Sequence, residues 1–256
     1  QTEGFDMVMG ELSQETELLV VGSGPGGYAA AFRAADLGMD VTMVDVAQRP
    51  GGVCLYKGCI PSKTFLFLSE LIHDARRAEN MGITFGKPQI DLKALREWKA
   101  KVIDTMANGL VSLSKRRGVQ LLQGRAQFES SNTARLHDCE VSHIKFKHAI
   151  IATGSRPIPF PDAEFKPGGR IMSSTGALAL ADVPQNLLII GGGYVGLELG
   201  TVYAALGSRV KLVELADRLL PGVDSDLVEP LHRRLTTIFE SIHLKTKVVS
   251  MQETDD

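Results

Sequence analysis

The chain has 256 residues, with 28 Lys and Arg against 30 Asp and Glu and a formal net charge of −2. That length fits one large domain or two smaller ones with separate cores, and the interspersed, near-balanced charge excludes a nucleic-acid stripe or a membrane-surface patch. Three cysteines, an odd number, argue against a secreted disulfide framework and for the cytoplasm or an organelle matrix, and no apolar run is long enough for a membrane span.

The opening stretch, "QTEGFDMVMGELSQETE", is acidic and lacks the basic start and apolar run of a signal peptide. It is also too acidic and Arg-poor for a transit peptide. Next, "LLVVGSGPGGYAAAFRAADLGMDVTMVD" (18–45) predicts a buried strand, a glycine turn, a helix closed by a left-handed glycine cap, and a second strand ending on Asp45. The same plan returns at an offset of 169 residues in "LLIIGGGYVGLELGTVYAALGSRVKLVE" (187–214). Gly22, Gly24, Gly27, Gly38 and Val41 match Gly191, Gly193, Gly196, Gly207 and Val210, and Asp45 matches Glu214.

Each copy is therefore a βαβ unit with a G-x-G-x-x-G loop between strand and helix. One such loop is weak evidence. Two in the right context, each followed by an acid, point to dinucleotide binding. The first glycine permits the tight turn, the second lets backbone approach a pyrophosphate, and the third lets the helix pack closely on the strand. The helix N-terminus supplies N–H groups and a positive dipole end. Asp45 and Glu214 are placed to accept from a ribose 2′-hydroxyl, and a carboxylate there disfavours a 2′-phosphate, so the second site should prefer NAD to NADP. Arg218 stands nearby as a counterweight.

Between the copies, "GGVCLYKGCIPSK" (51–63) sets Cys54 and Cys59 five positions apart. A zinc site, with Cys139 and His137 or His143 completing it, matches no common spacing. A static disulfide suits a reducing compartment poorly. The third reading is a redox disulfide. Residues five apart on an ideal helix have Cα atoms roughly 8–9 Å apart, whereas a disulfide needs less than about 7 Å. An oxidised pair thus requires a break in any helix here, and Gly58 offers the freedom for one. A strained bridge is the more easily reduced. Cys59 precedes a helix predicted from Pro61, whose N-terminus favours a thiolate, with Lys57 and Lys63 adding positive charge.

That helix runs through "SKTFLFLSELIHDARRAEN", and a second spans 91–116 with Ile103, Met106, Leu110 and Leu113 on a core face. "VQLLQG", "RAQFES", "NTARLHD" and "SHIKFKHAIIATG" read as strands. The Pro/Gly-rich stretch 155–170 marks a boundary, giving domains 1–155 and 156–256. "DSDLVEPLHRRLTTIFE" predicts a helix and "HLKTKVVSM" a last strand.

The motif "GGVCLYKGCIPSK", with "VGSGPGGYAAAFRAADLG", "IIATGSRP", "SSTGALAL" and "IIGGGYVGLELGTVYAALGS", resembles the flavoprotein pyridine nucleotide-disulfide reductases, and within them the dihydrolipoamide dehydrogenases. The likeness runs from about residue 17 to the end. It implies an α/β fold of two Rossmann-like dinucleotide-binding domains, parallel sheets with helices and a small antiparallel meander, the second domain incomplete. It implies FAD on Gly22, Gly24, Pro25, Gly27, Asp45, Gly52, Val53, Cys54, Lys63, Ala126, Thr153, Gly154 and Ser155. NAD falls to Gly191, Gly193, Tyr194, Val195, Gly196, Glu198, Glu214 and Val248, with Tyr194 as a gate and Lys63 paired to Glu198. Cys59 becomes the flavin-side thiolate and Cys54 the thiol exchanging with dihydrolipoamide. The implied partners are a lipoyl domain of a 2-oxo-acid dehydrogenase or glycine-cleavage complex, and a second copy in a homodimer; no nucleic acid, membrane or metal is expected.

Glutathione-reductase-like relatives usually carry Pro-Lys-Lys after the second cysteine, and mercuric reductases a valine before the proline; this chain has Ile60, Pro61, Ser62 and Lys63. Tyr56-Lys57 and Thr64-Phe65 depart from the usual pattern. Mercuric or glutathione reductase-like activity, or a non-catalytic nucleotide-binding module, are the alternatives. Chains of this kind are nearly twice as long and place a His–Glu acid–base pair in a C-terminal domain; none of the six histidines here sits in that motif. The expectation is a fragment with little dehydrogenase activity.

Overall fold

The structure, a computed structural model, describes residues 12–161, 163–166 and 168–253. The chain forms two compact units. One contains residues up to Tyr56 with Asp104–Ser155; the other contains Lys57–Ile103 with the residues from Arg156 onward.

The first unit is built on a six-stranded sheet. Its elements are β1 (Ser13–Val21), α1 (Pro25–Asp36), β2 (Val41–Asp45), the start of α2 (Gly52–Lys57), then β3 (Gln120–Gln123), β4 (Arg125–Phe128), β5 (Thr133–His137) and β6 (His143–Ile151). The strand order is β3-β2-β1-β6-β5-β4. Pairing is parallel from β3 to β6 and antiparallel through β6-β5-β4. Leu18, Val20, Val41 and Met43 bury one face against Ala31 and Ala34 of α1. Leu19, Val21 and Val44 bury the other with Ala134, Leu136, Ile144 and Phe146.

β1 begins five residues before the apolar run at Leu18. Its polar half, Ser13–Glu17, extends the sheet because β6 offers complementary charge: Lys147 Nζ lies 2.8 Å from Glu17 and Lys145 Nζ 3.9 Å from Glu15. The expectations for residues 1–11 lie outside the described residues.

The second unit contains α3 (Cys59–Arg77), a 3-10 turn (Ala78–Met81), the first half of α4 (Leu92–Arg116), α5 (Ser174–Ala179), β7 (Asn186–Ile190), α6 (Tyr194–Leu206), β8 (Arg209–Val213), α7 (Ser225–Ile238) and β9 (Ser241–His243). Its sheet is parallel, in the order β7-β8-β9. The core gathers Phe65, Leu178, Leu197, Tyr203, Val210, Leu212, Leu219, Leu235 and Phe239.

The chain switches units at residue 155/156, where the Pro/Gly-rich stretch begins, yet the division differs from 1–155 and 156–256. Residues 57–103 pack with the second unit because α3 drives Phe65 into that core. The same segment caps α5: Arg96 Nη1 donates to Leu180 O at 2.9 Å and Lys99 Nζ to Leu178 O at 2.7 Å, cations on the carbonyl end of a helix.

Three element expectations need correction. Helix α3 starts at Cys59, not Pro61. Gly58 O accepts its first bond, from Ser62 N at 3.0 Å, so Pro61 sits inside the first turn, where its missing N–H costs nothing. The last strand is Ser241–His243 rather than 243–251, because Lys245 turns left-handed (φ 52°) and its N–H bonds Ala216 O. Val248 therefore lies outside the sheet, half-buried. On α4 the buried residues are Ala107 and Ser114, and Met106 is exposed; a small residue at 107 allows a closer approach than Met106 could.

Candidate dinucleotide and disulfide site

In the first unit, Gly22 turns the chain out of β1 with φ 101° while its N–H bonds Val44 O at 2.8 Å. A Cβ there would run into the Ala152 carbonyl, and one on Gly27 into the Gly22 carbonyl. Gly24 is the N-cap of α1 and Pro25 its first residue; the first helical bond, Tyr28 N to Gly24 O, is 2.9 Å. With no side chain capping this end, first-turn N–H groups are available to an anion. Gly52 closes over the loop, where a Cβ would come 2.6 Å from Gly24 Cα. Val53 is exposed. At the carboxyl end of β6, Ala152 N bonds Val21 O at 2.8 Å, which brings Ala152 and Thr153 against Gly22; Gly154, with φ 74°, and Ser155 follow.

Asp45 closes β2. Its carboxylate accepts from Ser23 N at 2.6 Å, Ser23 Oγ at 2.8 Å and Ala47 N at 2.9 Å. Beside it opens a cavity of about 260 Å³ lined by Val46, Gln123, Gly124, Arg125 and Asp138. Ala126 follows immediately on β4, paired with Leu136. Val46, Gln123 and Arg125 escaped the sequence reading. The available signal was position: they follow the carboxyl ends of parallel strands β2 and β3, where open α/β sheets place ligands.

The second unit repeats this geometry residue for residue at the offset of 169. Gly191 has φ 102° and its N–H bonds Val213 O at 2.9 Å; Leu197 N bonds Gly193 O at 3.1 Å. Glu214 accepts from Gly192 N at 2.5 Å and Ala216 N at 2.7 Å, as Asp45 does from Ser23 and Ala47. The equivalence continues past the acid. Gly51 N bonds Ser23 O at 2.8 Å, and Leu220 N bonds Gly192 O at 3.0 Å, Leu220 holding a left-handed φ of 47°. Gly196 packs on the loop, where a Cβ would meet the Gly191 carbonyl at 2.5 Å. Tyr194 and Val195 begin α6 and are exposed. Arg218 donates to Pro221 O at 2.7 Å, within its own loop.

Around the cysteines the helix is interrupted. α2 carries Cys54, half-buried, and ends at Lys57. Gly58 takes φ −146° and ψ −113°, and α3 resumes with Cys59 exposed at its first position. One turn later Lys63 Nζ donates to Glu198 Oε1 at 2.6 Å, and Ser62 Oγ donates to Glu198 Oε2 at 3.0 Å. Ser62 Oγ also lies 3.1 Å from Cys59 O. Ser62 was read only as a family discriminator; its clamping role depends on α6, which sequence spacing does not place. Tyr56 donates to Pro50 O at 3.2 Å, and burial raises its phenol above the ordinary value. Cys139 packs beside Gly124, where a Cβ would meet its own Cβ at 2.9 Å. Among the described residues no three His, Cys, Asp or Glu are grouped to hold a metal, and no helix is long and apolar enough to cross a membrane.

Two glycine-loop βαβ units, each with its acid fixed by loop backbone, and a cysteine pair divided by a helix break are the fold and site pattern of the two-nucleotide disulfide class. The chain belongs to the pyridine nucleotide-disulphide oxidoreductase family, whose pattern matches residues 16–256. It is 44% identical over 254 residues to dihydrolipoyl dehydrogenase 2 of Haloarcula marismortui, covering 98% of this chain and 53% of that protein. It is 45% identical over 230 residues to the dihydrolipoyl dehydrogenase of Bacillus subtilis, covering 90% and 48%. Among solved structures it is similar to the HOCl-induced flavoprotein disulfide reductase RclA from Escherichia coli, with a TM-score of 0.72 and 27% identity over 91% of this chain and 49% of that one. The chain spans about half the length of the curated relatives it matches. Membership implies FAD and a nicotinamide nucleotide, and both glycine loops fit such groups: in each the third glycine, Gly27 or Gly196, packs so tightly on the loop backbone that a Cβ would clash, and the helix end carries no side-chain cap.

Proposed function

We propose that these residues are the nucleotide-binding part of a dihydrolipoamide dehydrogenase that reduces NAD. The observation carrying this reading is the helix break at Gly58 between Cys54 and Cys59, in a chain 44–45% identical to enzymes of that name. Gly22, Gly24, Pro25 and Gly27 would hold the FAD pyrophosphate, Asp45 its ribose, and the cavity beside Val46 and Gly124, next to Ala126, its adenine. Gly52, Val53, Lys63, Thr153, Gly154 and Ser155 would complete that site. Gly191, Gly193, Gly196 and Val195 would hold the nicotinamide nucleotide, with Tyr194, Glu198 and Val248 bordering it. Glu214 favours NAD over NADP: its carboxylate is pinned by two backbone N–H groups, so a 2′-phosphate meets fixed negative charge.

The cysteine chemistry follows thiol–disulfide exchange. A thiolate of dihydrolipoamide attacks Cys54 Sγ, breaking the Cys54–Cys59 bond and releasing Cys59 as thiolate. The second substrate thiolate closes the lipoamide ring, breaks the mixed disulfide and leaves Cys54 reduced. The site's FAD would supply a two-electron path from the cysteine dithiol to NAD+, so that overall dihydrolipoamide and NAD+ would give lipoamide, NADH and one proton. Cys59, at the positive end of α3, is suited to the leaving thiolate. Lys63, though exposed, is oriented by its ion pair with Glu198. The substrate would be carried on a lipoyl domain of a 2-oxo-acid dehydrogenase or glycine-cleavage complex, and the parent enzyme would be a homodimer.

The test is anaerobic addition of dihydrolipoamide to the FAD-loaded protein. Flavin absorbance should bleach and a long-wavelength band should appear. Cys54→Ser and Cys59→Ser should each abolish the bleaching. Bleaching that survives either change would overturn the assignment. NAD binding without flavin uptake would favour a non-catalytic nucleotide-binding module.

A further inference from the structure

Tyr56, one of the residues that depart from the usual pattern, follows Cys54 by two positions. The helix that carries them, α2, has six residues, too few to hold itself by backbone bonds alone. It also starts from two glycines at positive φ, Gly51 (138°) and Gly52 (56°), so the chain there is easily turned. Contacts from outside the helical backbone must therefore fix Cys54. Leu55 supplies one: it is buried, its N–H bonds Gly51 O at 3.2 Å, and a Cβ on Gly51 would come 2.3 Å from its Cδ2. Tyr56 supplies the other. Its hydroxyl donates to Pro50 O at 3.2 Å, closing residues 50–56 into a ring with Cys54 inside. Gly51 N bonds Ser23 O at 2.8 Å, which seats that ring on the first glycine loop. The phenol is held in turn. Arg49 Cζ lies 5.9 Å from its centroid, and the same guanidinium pairs with Asp104 of α4 at 2.8 Å and reaches Asn108 Oδ1 at 3.4 Å. All of these residues belong to the first unit.

We propose that Tyr56 is a positioning residue for Cys54, its hydroxyl tying the short cysteine helix to the turn from which that helix starts. The proposal rests on the reading of Cys54 as the exchanging thiol. Exchange requires the attacked sulfur to be held along the line of approach, and a six-residue helix leaving two glycines does not hold it unaided. The tie to Pro50 O opposes opening of residues 50–56, and the bracket from Asp104 through Arg49 keeps the phenol where it can donate. An aliphatic side chain at 56 would donate nothing to Pro50 O and offer Arg49 no ring. Cys54 is half-buried in the tied form, so opening exposes its sulfur to small electrophiles while removing it from the position that exchange uses.

Two rates read the tie from opposite sides. Iodoacetamide alkylates Cys54 of the reduced chain when residues 50–56 open, whereas flavin bleaching of the FAD-loaded chain by dihydrolipoamide uses the tied form. Tyr56→Phe keeps the ring under Arg49 and removes only the hydroxyl. It should lower the quotient of bleaching rate to Cys54 alkylation rate about 5-fold, the effect of one ordinary hydrogen bond. Alkylation of Cys139, half-buried in the same unit, should stay unchanged, because only general loosening moves it. Tyr56→Leu, which gives up the ring as well, should lower the quotient further. A quotient in Tyr56→Phe within about 2-fold of the unsubstituted protein's would overturn the inference. So would a Cys139 rate that rises in step with that of Cys54. An unsubstituted protein that dihydrolipoamide does not bleach would remove the proposed reaction alone. The ratio of Cys54 to Cys139 alkylation would then still decide the tie: raised in Tyr56→Phe it supports it, unchanged it overturns it.

Discussion

Glu198 clamps two consecutive residues of α3, taking Lys63 Nζ at 2.6 Å on one oxygen and Ser62 Oγ at 3.0 Å on the other. The clamp reaches back to the first residue of the helix, because Ser62 Oγ also meets Cys59 O at 3.1 Å. The ion pair is part-exposed, with Lys63 at 57% and Glu198 at 24%. Exposed pairs of this kind are worth about 0.5–1 kcal/mol. A double-mutant cycle of Lys63→Met and Glu198→Gln, read by urea unfolding, should return coupling of that size. Glu198→Ala should cost more than Glu198→Gln, since it removes the side-chain acceptor of Ser62 Oγ and leaves that hydroxyl only Cys59 O. Zero coupling would show the pair to be ornamental.

The glycine loops predict an asymmetry between sites that look identical in sequence. Gly22→Ala combines a left-handed φ with a Cβ driven into the Ala152 carbonyl. Gly191→Ala meets only the φ penalty, because its flank is open. The second change should cost about 1–2 kcal/mol, and the first should exceed 3 kcal/mol or abolish folding of its unit. Equal costs measured by denaturant unfolding would contradict the packing of Ala152 on Gly22.

Much of this was readable along the chain because the information is local. Strand, glycine turn, helix and acid lie within 28 consecutive residues, and the offset of 169 showed them twice. Gly58 was readable too, since the Cα separation five residues apart on a helix decides against continuity. What could not be read depends on partners distant in sequence. The polar start of β1 is a strand only because Lys145 and Lys147 stand opposite Glu15 and Glu17. Residues 57–103 join the second unit because Phe65 finds its core there. The cavity by Asp45 assembles Val46 and Gln123 from strands separated by three helices.

The Glu17–Lys147 pair makes a prediction on the acid side. Hydrogen bonds from Lys147, then from the Asp40 N–H, hold the Glu17 carboxyl below its usual value of 4.5. A depressed acid contributes stability above its unfolded pKa and loses it as pH falls through the folded one. Glu17→Gln should therefore shrink the drop in Tm measured below pH 4.5 relative to the parent protein, and should leave the Tm near pH 7 slightly lower. An acid limb that is unchanged in the variant would show that other carboxyls control it.

Tyr203 contributes on the alkaline side. Its ring is 1% exposed in the second core and its hydroxyl donates to Ala177 O at 2.9 Å. Burial, followed by the nearby Asp182, pushes the phenol from 10.0 up to about 12. A raised pKa means that the native state holds its proton where the unfolded state has lost it. Stability from Tyr203 is thus complete below pH 10 and disappears between pH 10 and about 12, an effect of about 3 kcal/mol. Lys99 works with the opposite sign: burial, then Arg96, lower its pKa from 10.5, so its penalty lifts as pH rises toward 10.5 and adds no slope beyond. Lys99 therefore contributes nothing to a fall above pH 10.5, which Tyr203 shares with Tyr56 and Lys147, both also raised. Tyr203→Phe should flatten that limb while costing about 1 kcal/mol at neutral pH through the lost hydrogen bond to Ala177. A Phe variant that unfolds with the same alkaline slope would place the titrating group elsewhere.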